Sequence, residues 1–451
     1  MTTKPLFVRT LQVILATLFA AWLILLYKYQ VQLAPDSYGY LADSKNLLVP
    51  GYVTIRPILF PAYLRLLFSP GPALSIITFL LNSAGLLYLV YISGGRRRLF
   101  SVPNTIVLIC YFLLTGIWSY CGSILTESIL FSVDLWIFIF ITKIIYPQRR
   151  QNPLLTILYS LVICLLATTL KPWIMVMVLL SGLLLFLASL ILRAFRSHRL
   201  SSFILLAVSI LSFILTLSYN RSKSAESANL VVLMISSGNE DDLKARLKDD
   251  TSLDSNSAEF IRTLLSDIEL INGKYKRNPW VASSTNELKL LNIADKKQVQ
   301  SIKKAFHLMY FEHGKNTIGL VFLSFERYIS DLRLGLNCLD IAYGPELPVL
   351  RSLGIPIILV FSGLLFAYTV TRRAPADNKM IGIKRIVSFL KTNRDLTIFT
   401  FIILFSAVCF ALFLCLAGAD ELQRNVLPAV LFELFALTWI FLKRGDPKTP
   451  K

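Results

Sequence analysis

Apolar residues in this chain gather into unbroken runs of about twenty, each closed by charge, rather than recurring with the short periods of a soluble fold. A helix of that length, rising about 1.5 Å per residue, crosses a hydrocarbon layer of about 30 Å. Ten such runs are read as spans, at about 8–28, 71–93, 103–121, 126–146, 154–170, 173–193, 201–219, 350–371, 396–417 and 427–442. The first follows only MTTKPLFVRT and precedes no small-residue cleavage site, so it is read as a retained helix and not a signal peptide. Between the first two, residues 54–69 (TIRPILFPAYLRLLFS) are broken by Pro57 and Pro61 and charged at Arg56 and Arg65. That pattern predicts a short or interfacial helix.

The polar remainder is unevenly distributed. Residues 29–70 make a first outer loop, and residues 221–344 make one long insert of nearly balanced charge, helix-like near 257–271, 298–312 and 316–334. The expected organisation is an N-terminal transmembrane module (1–220) containing the loop 29–70, an extracytoplasmic, mainly helical insert (221–344), and a C-terminal transmembrane module (345–451). The fold class expected is an all-α polytopic membrane protein with about ten transmembrane helices.

Composition narrows the class further. With 55% apolar and only 16% charged residues, the chain has too few charges to cover a water-soluble surface. Its six cysteines form no CxxC pair and lie mostly in apolar runs, so neither a disulfide framework nor a zinc knuckle is indicated. Charge supplies an orientation. With the N-terminus cytoplasmic, the inner segments hold 22 basic residues against three acids, Asp377, Asp395 and Asp446, a surplus equal to the net charge of +19. The rest of the chain is then neutral overall, as the positive-inside rule expects with both termini inside. Because the bases are spread over short loops and the ends, the basic balance marks topology and not a nucleic-acid partner.

Acids and cations at the outer ends of spans are the candidate chemistry. Asp36, in QLAPDSYGYLADSKNL, is followed by Tyr38, Tyr40 and Asp43; it suits an N-cap as well as a general base. Glu127, in SYCGSILTESILF, opens the fourth span across a very short connection, with Thr126 as its expected cap. Asp134 lies seven residues further, about 10 Å down that helix, where a carboxylate needs a buried partner or a proton. Arg56, Lys171 and Arg424 stand at outer span ends, placed either to anchor headgroups or to bind a phosphate. His307 and His313, in the amphipathic 298–334 region, are candidates for proton transfer on the acceptor side.

The stretches PDSYGYLADSKNLL, GYVTIRPILFPAY, LTESILF, TLKPW and QRNVLP, spread from residue 35 to 428, together resemble the GT-C superfamily of membrane glycosyltransferases. That class includes protein O-mannosyltransferases and bacterial aminoarabinose and arabinofuranosyl transferases. The resemblance implies a polyprenyl-phosphate sugar as donor and a cell-envelope glycan, glycolipid or protein as acceptor, at an extracytoplasmic site in a bacterial plasma membrane. It implies Asp36 as the base, Glu127 as the second acid, and the donor phosphate held by some of Arg56, Lys171 and Arg424. Tyr38, Tyr40, Asp43, His307 and His313 are the further substrate-binding candidates. It leaves a divalent ion (Mg or Mn) open as cofactor.

The competing class is a lipid or polysaccharide transporter or flippase, which Asp134 and the helix count fit. Glycines and prolines near the bilayer midplane, where transporters break helices, are scarce; Gly182 and Pro356 are read as near span ends. Sidedness is directly measurable. Single-cysteine tags at positions 97 and 375 are expected to be protected from an impermeant thiol reagent applied outside, while tags at 240 and 285 react; the opposite labelling would overturn the outer placement of the candidate residues.

Overall fold

The computed structural model describes residues 3–28, 35–50, 57–67, 72–94, 101–113, 118, 120–122, 124–146, 152–220, 244–245, 247–248, 255–274, 394–416 and 422–442. Outside them lie the predicted span 350–371 and the predicted helices 298–312 and 316–334, with His307 and His313. The described residues are almost wholly helical and include no strand. In chain order the helices are α1 (Thr3–Lys28), α2 (Pro35–Asn46), α3 (Leu59–Leu66), α4 (Pro72–Gly94), α5 (Val102–Leu113), α6 (Glu127–Ile145), α7 (Pro153–Leu170), α8 (Ile174–Ile191), α9 (Arg199–Asn220), α10 (Ser255–Lys274), α11 (Arg394–Leu416) and α12 (Leu422–Leu442). Among the described residues six helical segments are long and apolar enough to cross a membrane: Leu6–Lys28, Pro72–Ser93, Ser128–Ile145, Pro153–Leu170, Ile174–Ile191 and Phe195–Thr216. The chain is thus a multi-pass α-helical membrane protein.

Two compact units divide the chain: Met1–Ser218 with Arg333–Phe410 and Leu427–Lys451, and Tyr219–Leu332 with Ala411–Val426. In the second, α10 is amphipathic. It buries Ile261, Leu264, Leu265 and Ile268 at helical spacing, and Glu269 meets Lys244 at 3.7 Å on its exposed side.

The first unit is organised around α6, of which 78% of the spanning window is buried, against 11% for α1. Helix α6 packs against α4 and α7, α1 against α4 and α5, and α7 against α8. Close approaches are made at small residues. A Cβ on Gly85 would stand 2.8 Å from Leu135 Cδ2, and one on Gly182 would stand 3.4 Å from the backbone of Leu206. Gly182 falls in the middle of α8 and not near a span end as expected, and the helix runs unbroken through it. Its role is to let α9 approach, not to break the helix.

Of the predicted span 103–121, helix α5 covers Val102–Leu113, and residues 114–117 and 119 lie outside the described residues. The Phe112 carbonyl accepts a 2.9 Å bond from Trp22 Nε1, six residues before the end of α1. Trp118 donates its indole N–H to the Tyr111 carbonyl at 2.7 Å. Beside these two bonds the rings of Phe19, Phe79, Phe112 and Trp118 are in contact, with Phe112 and Trp118 stacked at 4.8 Å. The cluster continues through Phe131 to Phe435 of α12 at 5.4 Å.

Polar contacts fix the register of α4 against α6. Asn82 donates to the Ser128 carbonyl at 3.1 Å and to Cys121 Sγ at 3.3 Å, and it accepts from Ser132 Oγ at 2.6 Å. Both N–H donors and one lone pair of a buried amide are therefore used between two helices and the turn that joins α5 to α6. Asn82→Ala is expected to lower the unfolding free energy in detergent by about 1.5 kcal/mol, measured by reversible denaturation in mixed micelles; an unchanged value would show that the amide sets no register.

Candidate functional site

The first-loop region folds as two short helices laid on the bundle. Proline opens α2, its fixed φ suited to the first helical position and its missing N–H costing nothing there. Asp36 is therefore the second helical residue, inside the first turn, and not the cap preceding the helix that the sequence suggested. Ser37, Tyr40, Asp43 and Ser44 form the buried stripe of α2, while Tyr38 is 65% exposed on the opposite side. The two tyrosines grouped with Asp36 thus part company. Tyr40 packs edge-on against Phe60 of α3 at 5.1 Å, and Tyr38 faces outward. Asp43 is turned into the protein rather than onto a solvated face.

Helix α3 is the short helix expected within 54–69. It buries Phe60, Pro61 and Leu64, and packs on α2 and α7. Arg65 donates from Nη1 to the carbonyls of Ser44 and Lys45, at 3.0 and 2.8 Å, and so closes the C-terminal end of α2. Tyr63 ties α3 to α4 at 2.7 Å through Thr78, whose own proton goes to the Leu74 carbonyl, so the phenol is the donor. Burial pushes that phenol up to about 12, against the lowering effect of Thr78. It keeps its proton at neutral pH.

The decisive contact joins this loop to the head of α6. Ser37 Oγ donates to the Ile124 carbonyl at 2.9 Å, between buried residues 87 positions apart. Asp36 precedes Ser37, and Glu127 follows Ile124 by three residues, so the backbones that carry the two acids are held in one neighbourhood at one end of the first unit. The connection leading to Glu127 is itself buried at Trp118, Tyr120, Cys121 and Ile124 through Thr126. Irregular backbone at such a place requires protein on its other side or a water-filled cavity beyond it. Thr126 does not cap α6 as expected: its backbone is already helical and its hydroxyl makes no capping bond.

Lys171 belongs to the same end, being the half-buried residue that terminates α7, where its backbone N–H closes on the Ala167 carbonyl at 3.1 Å. Its charge acts on Asp134. Asp134 is fully buried, and neither carboxylate oxygen makes a hydrogen bond. By helical spacing it shares one stripe of α6 with Glu127, Phe131 and Phe138. Arg56 lies outside the described residues, as do the side chains of Asp36, Glu127 and Arg424. Among the described residues no three side chains of His, Cys, Asp or Glu gather to hold a metal ion.

Compared with family models, with curated proteins and with solved structures, the chain matches none. The site therefore rests on its own chemistry. Three features of that chemistry were not anticipated: the two indole bonds to α5 carbonyls, the Arg65 cap and the serine bond between the loop and the connection. Each involves a residue type common in any membrane protein, and only the fold supplies its partner.

A fully buried acid without a hydrogen bond weakens the bundle that holds it. Asp134→Leu is accordingly expected to raise the unfolding free energy by about 2 kcal/mol in the same mixed-micelle denaturation. A loss of stability would instead make Asp134 a structural member of the bundle.

Proposed function

We propose that the chain is an inverting glycosyltransferase that moves a sugar from a polyprenyl-phosphate donor to an extracytoplasmic acceptor, a cell-envelope glycan, glycolipid or protein. It is placed in this reading as a multi-pass protein of a bacterial plasma membrane, with both termini cytoplasmic. The observation that carries the reading is the Ser37–Ile124 hydrogen bond, because it draws the helix bearing Asp36 to the turn that opens onto Glu127. Lys171, at the same end, is the described cation suited to a lipid-linked phosphate. Arg56 and Arg424 complete the proposed donor set, with Tyr38, Tyr40, Asp43, His307 and His313 on the acceptor side.

The chemistry is a single displacement. The acceptor hydroxyl oxygen attacks the anomeric carbon as its bond to the phosphate oxygen breaks; the proton passes to Asp36 and the leaving phosphate keeps the electron pair, its charge stabilised by the cations. A carboxylate with an ordinary pKa is a weak base toward a free hydroxyl, so its contribution comes from placement as bond formation makes that hydroxyl acidic. Glu127 serves as the second acid, orienting the acceptor.

A lipid or polysaccharide flippase is the second reading, and one specific observation favours it: the Asp134 carboxyl buried in a span. Proteoliposome flux without a covalent product would select it.

Asp36→Asn removes the base with almost no change of volume. It is expected to lower turnover by about 100-fold or more while donor binding is retained, with both measured on one purified preparation given labelled polyprenyl-phosphate sugars and acceptor. Well-folded Asp36→Asn protein with near-normal transfer would sink the assignment. Lys171→Ala is expected to weaken donor binding by about 2 kcal/mol in the same assay.

A further inference from the structure

The opposite end of α6 carries a second arrangement, independent of the transfer chemistry. Lys143 stands in the last turn of α6, and because helical Cβ atoms tilt toward the N-terminus its side chain runs back along the bundle instead of out past the helix end. Its ammonium lies 5.2 Å from the ring centre of Tyr88, 5.7 Å from that of Tyr159 and 5.9 Å from that of Phe140, within the range at which ring faces attract a cation. These rings belong to a continuous band across three helices. Tyr91 stacks on Tyr88 at 6.1 Å, Tyr88 meets Trp136 at 5.3 Å, Trp136 meets Phe140 at 5.8 Å, and Phe140 stacks on Tyr159 at 5.2 Å. Tyr91 is exposed and the other four rings are half-buried, so the band is an open aromatic groove and not part of the closed core.

Its charge is unbalanced. Among the described residues no carboxylate pairs with Lys143, and the hydroxyls of Tyr88, Tyr91 and Tyr159 make no hydrogen bond to protein. An empty aromatic box would trap a cation. This one is filled by the protein's own ammonium, so it offers one positive charge and a row of phenol donors. In the sequence, Arg96, Arg97 and Arg98 follow α4, and Arg149 and Arg150 lie between α6 and α7. A purely structural cage accounts for the ring contacts but leaves the phenol donors and the uncompensated charge unused. An anionic headgroup uses both.

We propose that this groove binds an acidic phospholipid of the membrane leaflet on the basic side, its phosphate on the Lys143 ammonium and the Tyr88 and Tyr159 hydroxyls, its acyl chains along the aromatic band. Basic pockets between spans recognise such headgroups, with about 1 kcal/mol of attraction per cation near the surface.

The test uses the full-length protein, equilibrated in mixed micelles with equal amounts of phosphatidylglycerol and phosphatidylcholine of the same chains, with retained lipid identified by native mass spectrometry. The wild type is expected to retain phosphatidylglycerol about fivefold over phosphatidylcholine. Lys143→Gln is expected to abolish that preference, and Lys143→Arg to keep it. The double variant Tyr88→Phe with Tyr159→Phe leaves every ring and the charge in place, so it decides the matter even where Lys143→Gln fails to fold: a loss of about half the preference or more supports the site. Unchanged preference in either the glutamine or the double variant overturns it. Displacement of phosphatidylglycerol by millimolar inorganic phosphate, at constant ionic strength, would also overturn it, by assigning the groove to a soluble anion.

Discussion

A backbone carbonyl released within hydrocarbon has no water to bind, and leaving it bare costs several kcal/mol. In α5 two carbonyls, those of Tyr111 and Phe112, are taken by indoles, one from Trp118 and one from Trp22 of α1. An indole serves here because it brings a single donor on a large apolar ring, and the Trp118 ring packs among Phe79, Phe112 and Phe131. Trp118 is buried, and so are Tyr120, Cys121 and Ile124 through Thr126 before the head of α6. The Ile124 carbonyl accepts from Ser37 of α2. The helix that carries Asp36 is in this sense tied to a buried connection that an indole anchors to α5.

Two ionisable side chains within the spanning stretch of α6 show opposite solutions to burial. Lys143, near one end, has its ammonium against three ring faces, whose quadrupoles replace part of its hydration while one side stays accessible. Asp134, nearer the other end, has no donor on either oxygen and only the more distant charge of Lys171 to favour it. A ring face attracts a cation and repels an anion, so the aromatic stripe of Phe131 and Phe138 that flanks Asp134 offers the carboxylate nothing comparable. The rings hold the Lys143 ammonium without balancing its charge among the described residues. Asp134 has no comparable contact.

The sequence made the helices legible because apolar run length is a direct consequence of membrane thickness. The runs read at 8–28, 71–93, 126–146, 154–170, 173–193 and 201–219 each coincide with an observed helix to within a few residues, and 257–271 lies inside α10. The run read at 103–121 coincides with α5 over Val102–Leu113, and residues 114–117 and 119 lie outside the described residues. At the site, the placement of Asp36, Glu127 and Lys171 at helix ends could be read from span order. The Ser37–Ile124 contact could not, because a serine hydroxyl and a backbone carbonyl 87 residues apart leave no pattern in a single chain. Tyr38 and Tyr40 show the limit in miniature: adjacent in any motif, they lie on opposite faces of α2 because a helix turns about 100° per residue.

The burial of Asp134 carries the last step. Helix α6 is the most enclosed of the six described spans, and its buried or half-buried hydroxyls have partners: Ser128 donates to the Leu125 carbonyl, Ser132 to Asn82 and Thr142 to the Ile139 carbonyl. A helix that closes its polar groups so consistently, yet leaves one carboxyl bare on the stripe that begins at Glu127, is not made more stable by that carboxyl. Bundle stability would be served by any apolar residue of similar size there. What a bare acid below Glu127 adds is chemical capacity: it can hold a proton or accept a hydrogen bond from a group that enters along the stripe. Either proposed reading can use such a group on the stripe that begins at Glu127, beside the proposed second acid in the transfer or along the path of a moved lipid. The same stripe thus joins the two functional readings to one structural feature, the acid that the fold leaves unsatisfied.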